Sequence, residues 1–150
     1  MKQGLTLFAL ACALGTALPT FAQESVTGSG GTLTAPTTVG QNITVTNVTL
    51  SNGGTASLSC PITFFGAGTY QWNWSCFGGS LNVDGSKVAS LSGTMTLTCS
   101  GGGRGGRTTC WHILSCNATA SNGASGAVSV HAKGGANNAP GTVTAFTASW

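Results

Sequence analysis

The sequence predicts an all-β protein, either an antiparallel β-sandwich or a partly open barrel of about eight short strands with disulfides. Three observations lead to this prediction. Apolar residues alternate with polar ones in several segments, glycine-rich turn signals separate these segments, and no segment shows an apolar stripe of helical period. Alternation with period two is typical of strands that bury one face.

The first clear strand contains Ile43 and Val45, followed by Val48 and Leu50. The alternation slips by one residue at Asn47, which predicts a β-bulge there. Further alternating sets lie at Ala56, Leu58, Cys60, Ile62 and Phe64, at Tyr70, Trp72, Trp74 and Cys76, at Leu91, Met95, Leu97 and Cys99, and at Val128 and Val130, with a last strand in 141–150. Turns are predicted at Asn52–Gly54, Gly66–Gly68, Gly78–Gly79, Asp84–Gly85, Asn122–Gly123 and Gly134–Gly135.

Residues 1–22 are predicted to be a signal peptide of bacterial type. Lys2 provides the positive start, Leu5–Leu18 is an apolar run, and cleavage is expected after Ala22. This run is too short for a membrane span, which needs about 20 apolar residues. The remainder, 23–150, is expected to form a single secreted β domain, placed outside the cell, at its surface or in the periplasm.

Acidic side chains are scarce, and Glu24 and Asp84 are the whole set. Acid–base catalysis, sugar hydrolysis and binding of hard metal ions usually require two or more convergent carboxylates. The sequence therefore predicts no enzyme, no catalytic residues and no cofactor, and it places Asp84 in a turn. The slight basic balance of 23–150 is too small to predict a nucleic-acid partner.

Five cysteines follow the predicted signal peptide: Cys60, Cys76, Cys99, Cys110 and Cys116. In an exported chain they are expected to form disulfides, and the odd number leaves one thiol free or joined to another chain. Cys60 and Cys76 share a face of two neighbouring predicted strands, so we expect them to pair. Cys99 is expected to pair with Cys110 or Cys116.

Cys110, His112 and Cys116 form a candidate metal cluster in the sequence. On one strand face, however, positions six residues apart lie about 20 Å from each other. Zinc ligands must all lie within about 2.3 Å of the metal. The segment is therefore predicted to hold disulfide cysteines and an ordinary histidine, with no metal site.

Tyr70, Trp72 and Trp74 are the predicted ligand-binding residues of a strand face that could stack on sugar rings. The competing interpretation places this face in the core, because Cys76 shares it, and we favour the core. Arg104 and Arg107 lie in a glycine-rich segment that reads as an exposed hairpin tip. These two arginines could contact an anionic polysaccharide, although a solubilising loop is the favoured interpretation.

The segments 28–36, Gly-Ser-Gly-Gly-Thr-Leu-Thr-Ala-Pro, and 58–66, Leu-Ser-Cys-Pro-Ile-Thr-Phe-Phe-Gly, carry a family resemblance. With the exported start and the later cysteine-flanked strands, the chain resembles the small secreted Pseudomonas-type proteins known as activators of alkane oxidation. The resemblance implies a role in biofilm and surface attachment and supplies no site residues.

The predicted function is therefore that of an exported, non-catalytic surface or extracellular-matrix protein with a structural or adhesive role. Self-association and binding to extracellular polysaccharide are the expected interactions. One alternative is a carbohydrate-binding module that uses the aromatic strand face. A further alternative is a small outer-membrane β-barrel, suggested by the final aromatic residue Trp150 after Phe146.

Overall fold

The computed structural model describes residues 23–101, 108–134 and 139–150. In these ranges the chain folds into strands and turns, which confirms the all-β prediction. The strands are β1 (Ser25–Ser29), β2 (Thr32–Thr34), β3 (Asn42–Leu50), β4 (Thr55–Ala67), β5 (Gln71–Val83), β6 (Ser86–Ser100), β7 (Thr109–Ala120), β8 (Ser125–Gly134) and β9 (Gly141–Ser149). Several are longer than the sequence suggested, and β6 has 15 residues.

These strands close into an antiparallel barrel. From β3 to β9, each strand pairs with the next one along the chain. β1 and β2 lie end to end in the space between β9 and β3, because each of them pairs with both. The barrel therefore has eight strand positions. The predicted sandwich or partly open barrel is refined to a closed barrel, since the N-terminal strands fill the last gap.

The break between β1 and β2 faces a bulge in β3. Gly30 and Gly31 both have positive φ, at 76° and 79°. Asn47 opposite them has a φ of 58°, and the β3–β4 register shifts between Val45 and Val48. A Cβ on Gly31 would lie 2.7 Å from the carbonyl oxygen of Asn47, so only glycine fits. The bulge predicted from the slipped alternation is confirmed.

Apolar side chains fill the barrel interior. Alternate residues of each long strand are buried, as the period-two pattern predicts. The largest fully buried side chains are Trp74, Phe146, Leu33, Ile43, Leu58, Ile62, Leu81, Met95, Leu97, Leu114, His112 and Val45. The remaining positions point outward and carry mostly serine, threonine and asparagine.

The predicted turn at Gly78–Gly79 is wrong, because β5 runs through it. Gly78 has a φ of 74° and causes a shift in the β5–β6 register between Phe77 and Gly79. A Cβ on Gly79 would lie 2.8 Å from Sγ of Cys60. This glycine pair therefore forms a bulge that leaves room for a disulfide, and its sequence resembles that of a turn.

Three tight turns lie at one end of the barrel, here called the turn end. They are the connections β3–β4, β5–β6 and β7–β8, and the side chains of Asn52 and Asn122 accept hydrogen bonds from the backbone within two of them. Between β5 and β6, Asp84 and Gly85 both have positive φ, which confirms the predicted two-residue turn. Glu24 and Trp150 exchange backbone hydrogen bonds at this same end.

Candidate functional site

Trp74 belongs to the core. Its side chain is 1 % exposed, and its Nε1–H donates a 2.7 Å hydrogen bond to the carbonyl oxygen of Pro36. The Phe65 ring packs against it with the centroids 5.1 Å apart. A fully buried indole with a satisfied N–H has a structural role and cannot stack on a ligand.

The three predicted aromatic residues do not form one exposed platform. Trp72 is half-buried against the core, whereas Tyr70 precedes β5 and is 68 % exposed. Tyr70 is therefore the one ring of the three that is well exposed. Arg104 and Arg107 lie outside the described residues, between Gly101 and Thr108.

Two disulfides each join neighbouring strands of the barrel. Cys60 of β4 is bonded to Cys76 of β5, with their Cα atoms 5.6 Å apart. Cys99 of β6 is bonded to Cys110 of β7, with a Cα–Cα distance of 4.0 Å. Either Cys110 or Cys116 was expected as the partner of Cys99. Cys110 is the partner, because it lies directly opposite Cys99 in the β6–β7 register. Disulfides of this kind are typical of an oxidising compartment.

Cys116 is a free, buried thiol. It lies opposite Gly93, which in turn lies opposite Cys76 of the first disulfide. A Cβ on Gly93 would lie 2.9 Å from Sγ of Cys116, so the glycine gives the thiol its space. Burial raises the pKa of Cys116 to about 11, and the thiol is therefore protonated at neutral pH. A buried, protonated thiol is a poor nucleophile.

His112 points into the barrel near the end opposite the turn end. It is 1 % exposed, and its Nδ1 has no hydrogen-bond partner among the described residues. Burial lowers the pKa of His112 below its ordinary value, while a hydrogen bond with the backbone of Ala132 acts in the other direction. Its ring lies close to Gly134 and Gly141, where added Cβ atoms would lie 3.1 Å from Cε1 and 3.0 Å from Nδ1 of the ring.

The candidate metal cluster does not assemble. Cys110 is in a disulfide, and Cys110, His112 and Cys116 lie along the inner face of one strand, as expected for residues of alternating burial. Within 23–101, 108–134 and 139–150, no group of three histidine, cysteine or acidic side chains is placed to hold a metal ion.

The outer wall of the barrel carries long rows of hydroxyl and amide side chains. In one row, Ser75, Thr94, Ser115, Ser129 and Thr147 lie opposite one another on five consecutive strands. Rows of this kind arise because the antiparallel register aligns the outward positions of neighbouring strands. They give the barrel a neutral, hydrogen-bonding surface.

Trp111 and Ile113 interrupt this polar wall on β7. They are 42 % and 40 % exposed, and they lie opposite Thr98 and Thr96 of β6. On the other side, the ammonium Nζ of Lys133 lies 5.7 Å from the centroid of the Trp111 ring, a cation–π distance. No role for Trp111 was predicted from the sequence. The available signal was that Trp111 and Ile113 alternate with His112 and Leu114, so one of the two sets must face solvent.

The polar part of the same strand lies beside a shallow depression. Ser115 and Asn117 continue the outward line of β7, and a depression of about 400 Å³ lies over them, bordered by Thr94 of β6 and Ser129 of β8. We call the outward side chains Trp111, Ile113, Ser115 and Asn117 the β7 strip. It joins an exposed aromatic ring to a depression in which hydroxyl and amide groups alternate with the small or apolar residues Gly93, Cys116, Ala127 and Val128.

Both acids of the chain lie at one end of the barrel. Glu24 and Asp84, the chain's only acids, lie at the turn end. Oδ1 of Asp84 accepts a 2.8 Å hydrogen bond from the backbone N–H of Thr55, which ties the β5–β6 turn to the start of β4. Lys133 lies near the opposite end, next to Gly134. The β7 strip therefore has a cation beside it and no carboxylate.

These features define a closed antiparallel barrel with a packed interior and a hydroxyl-rich outer wall. No protein-family model matches the chain, and searches of curated proteins and of solved structures find no match either. No helix in the described part of the chain is long and apolar enough to cross a membrane.

Proposed function

We propose that the protein is an exported, non-catalytic component of the cell surface or extracellular matrix, with a structural or adhesive role. The observation that carries this proposal is the contrast between the two sides of the wall. The interior is packed with apolar side chains and contains the Cys60–Cys76 disulfide, while the outside carries mostly hydroxyl and amide groups, with a few exposed aromatic rings and lysines. In a barrel of this kind the outer wall is the surface that partners meet.

The placement of the reactive groups supports a non-catalytic role. Asp84 is engaged in a turn, Cys116 is buried and protonated, and His112 is buried without an acidic partner. A nucleophile needs a base within hydrogen-bonding reach, and a general acid or base must reach the substrate. None of these three groups meets that requirement in the described structure.

The polar outer wall also bears on the outer-membrane alternative. A strand that faces lipid presents an apolar band outward, with polar residues inside. Here the outward positions of β6 include Ser90, Ser92, Thr94, Thr96 and Thr98. This arrangement favours water as the surroundings of the barrel.

A carbohydrate-binding role is the second candidate, and the exposed Trp111 favours it. The sequence had suggested this role for Tyr70, Trp72 and Trp74, but Trp74 is in the core. Phe64, Phe77 and Trp111 face outward from the sheet, and of these three rings Trp111 has a lysine ammonium group over it. An adhesive protein and a sugar binder would then share the same surface.

Fractionation of the native culture tests the proposed function. Cells, extracellular matrix and medium are separated, and the protein is quantified in each by an antibody with a cytoplasmic marker as control. We expect most of the protein in the cell-surface and matrix fractions. Recovery of most of it with the cytoplasmic marker would contradict the proposal.

A further inference from the structure

We propose that the β7 strip and Lys133 form a binding site for a linear polysaccharide built from uronic acids. The inference rests on the proposed function, because it names the ligand of the adhesive surface. It assigns a stacking role to Trp111, a charge-pairing role to Lys133 and a hydrogen-bonding role to the depression beside Ser115.

Trp111 provides the stacking surface of the site. Trp111 lies on a strand that pairs with both β6 and β8 along its length. An exposed indole on a sheet offers a flat apolar surface that a sugar ring can cover, and little side-chain freedom is lost on binding. Ile113, the next outward residue, extends the apolar part of the surface.

Lys133 provides the positive charge of the site. Nζ of Lys133 lies over the Trp111 ring, 5.7 Å from its centroid, so the ammonium group must move aside when a sugar stacks on that face, and it stays within reach of the sugar's substituents. A uronic acid carries a carboxylate directly on its ring carbon skeleton, and it can stack and pair at once. Both acids of the chain lie at the turn end, so no carboxylate near the β7 strip repels this anion.

The β7 strip is long enough to contact several sugar units. The outward residues of β7 from Trp111 to Asn117 extend over about 20 Å, since a strand rises about 3.3 Å per residue. The far half of this line borders the 400 Å³ depression, where Thr94, Ser115, Asn117 and Ser129 offer hydroxyl and amide groups. A linear sugar chain can therefore stack at Trp111 and donate hydroxyl hydrogen bonds further along.

Nucleic acid is the competing anion, and the described charges disfavour it. Nucleic-acid binding depends on several basic side chains that neutralise a closely spaced row of phosphates. Among the described residues, Lys133 is the one lysine or arginine beside the strip, and the polar groups around it are mostly neutral hydroxyl and amide groups. This composition matches a polymer with one charge per sugar and several hydroxyl groups better than a phosphate backbone.

Isothermal titration calorimetry on the protein of residues 23–150, with both disulfides intact, tests the proposal. The probes are an oligomer of galacturonic acid, its methyl ester, which keeps the sugar and removes the charge, and a DNA duplex. We expect the acid oligomer to bind at least tenfold more tightly than the ester, with affinity falling as salt is added. Trp111→Ala should weaken binding of the acid at least tenfold, and Lys133→Gln about threefold or more.

Two matched variants act as controls. Phe77→Ala removes a ring that is 70 % exposed on β5, and Lys87→Gln removes an ammonium group near the turn end. Both should bind the acid oligomer within twofold of the unmodified protein. Denaturation midpoints for all four variants show that each is folded.

Several outcomes would overturn the inference. Equal affinity for the acid oligomer and its ester would contradict the charge-pairing role of Lys133. Tighter binding of the DNA duplex would show that the ligand is a nucleic acid and not a polysaccharide. An equal effect of Phe77→Ala and Trp111→Ala would place the site elsewhere. Absence of binding to every probe would reject the proposed binding site. The proposed surface or matrix function is tested separately, by the fractionation experiment.

Discussion

Replacement of Trp74 distinguishes a core residue from a ligand platform. Trp74 is 1 % exposed, packs against Phe65 and donates a hydrogen bond to Pro36. Truncation of a buried tryptophan to alanine costs about 3–5 kcal/mol, because the transfer energy is lost and a cavity remains. For Trp74→Ala we therefore expect a loss of about 4 kcal/mol in the free energy of unfolding.

A second substitution separates the ring from its N–H group. Trp74→Phe keeps an aromatic ring against Phe65 but leaves the Pro36 carbonyl oxygen without its donor. An unsatisfied buried polar group costs about 1–3 kcal/mol. Trp74→Phe should therefore fall between the unmodified protein and Trp74→Ala.

Guanidinium denaturation with intact disulfides measures these effects. At a slope of about 4 kcal/mol per molar guanidinium, the Trp74→Ala midpoint should move down by about 1 M. Tyr70→Ala is the matched control, because Tyr70 is largely exposed, and it should change stability by no more than about 0.5 kcal/mol. A Trp74→Ala midpoint equal to that of Tyr70→Ala would refute the core assignment.

Three further predictions concern His112, Cys116 and Asp84. The pKa of His112 is lowered in the folded protein, so the unfolded chain takes up this proton first as the pH falls. The free energy of unfolding should therefore fall below about pH 6.5, by at most about 1.4 kcal/mol per pH unit. His112→Leu should remove this slope, and the control His131→Gln, at an outward position, should keep it. An unchanged slope in His112→Leu would contradict the prediction. The Cys116 thiol should resist iodoacetamide at pH 8 in the native protein and react fully in denaturant. Cys116→Ser is the unreactive control. Rapid labelling of the native protein would contradict the prediction, because it would show that the thiol is accessible. Asp84→Ala should lower the free energy of unfolding by about 1–2 kcal/mol, because it places alanine at a φ of 50° and removes the acceptor of the Thr55 N–H. Asp84→Asn should lower it less. Equal stabilities of the two variants and the unmodified protein in denaturation would contradict this role of Asp84.

Sequence patterns were informative wherever a local rule applies. Alternation placed β3, β4, β5 and β6, and the slip at Asn47 located the bulge. Cys60 and Cys76 were expected as partners because they share a face of neighbouring strands, and they are bonded. The Asp84–Gly85 turn followed from residue types that tolerate positive φ.

Other features depend on the closed shape, which no local pattern specifies. Gly78–Gly79 has the composition of a turn, but the β5 strand continues because both of its neighbours pair along it. Closure depends on β1 and β2, whose short alternation gave no strong strand signal and whose place between β9 and β3 is a long-range contact. The exposed Trp111 could be recognised only after the inner face of β7 was fixed by His112 and Leu114.

Extracellular complementation tests the central claim, a surface or matrix role, most directly. Cells that lack the gene for this chain are grown with purified 23–150 protein in the medium, and attached biomass is measured on a solid surface. The account predicts that deletion lowers attachment and that added folded protein restores it, while protein with reduced and alkylated disulfides does not. Normal attachment of the deletion cells, or equal rescue by the unfolded protein, would contradict the account.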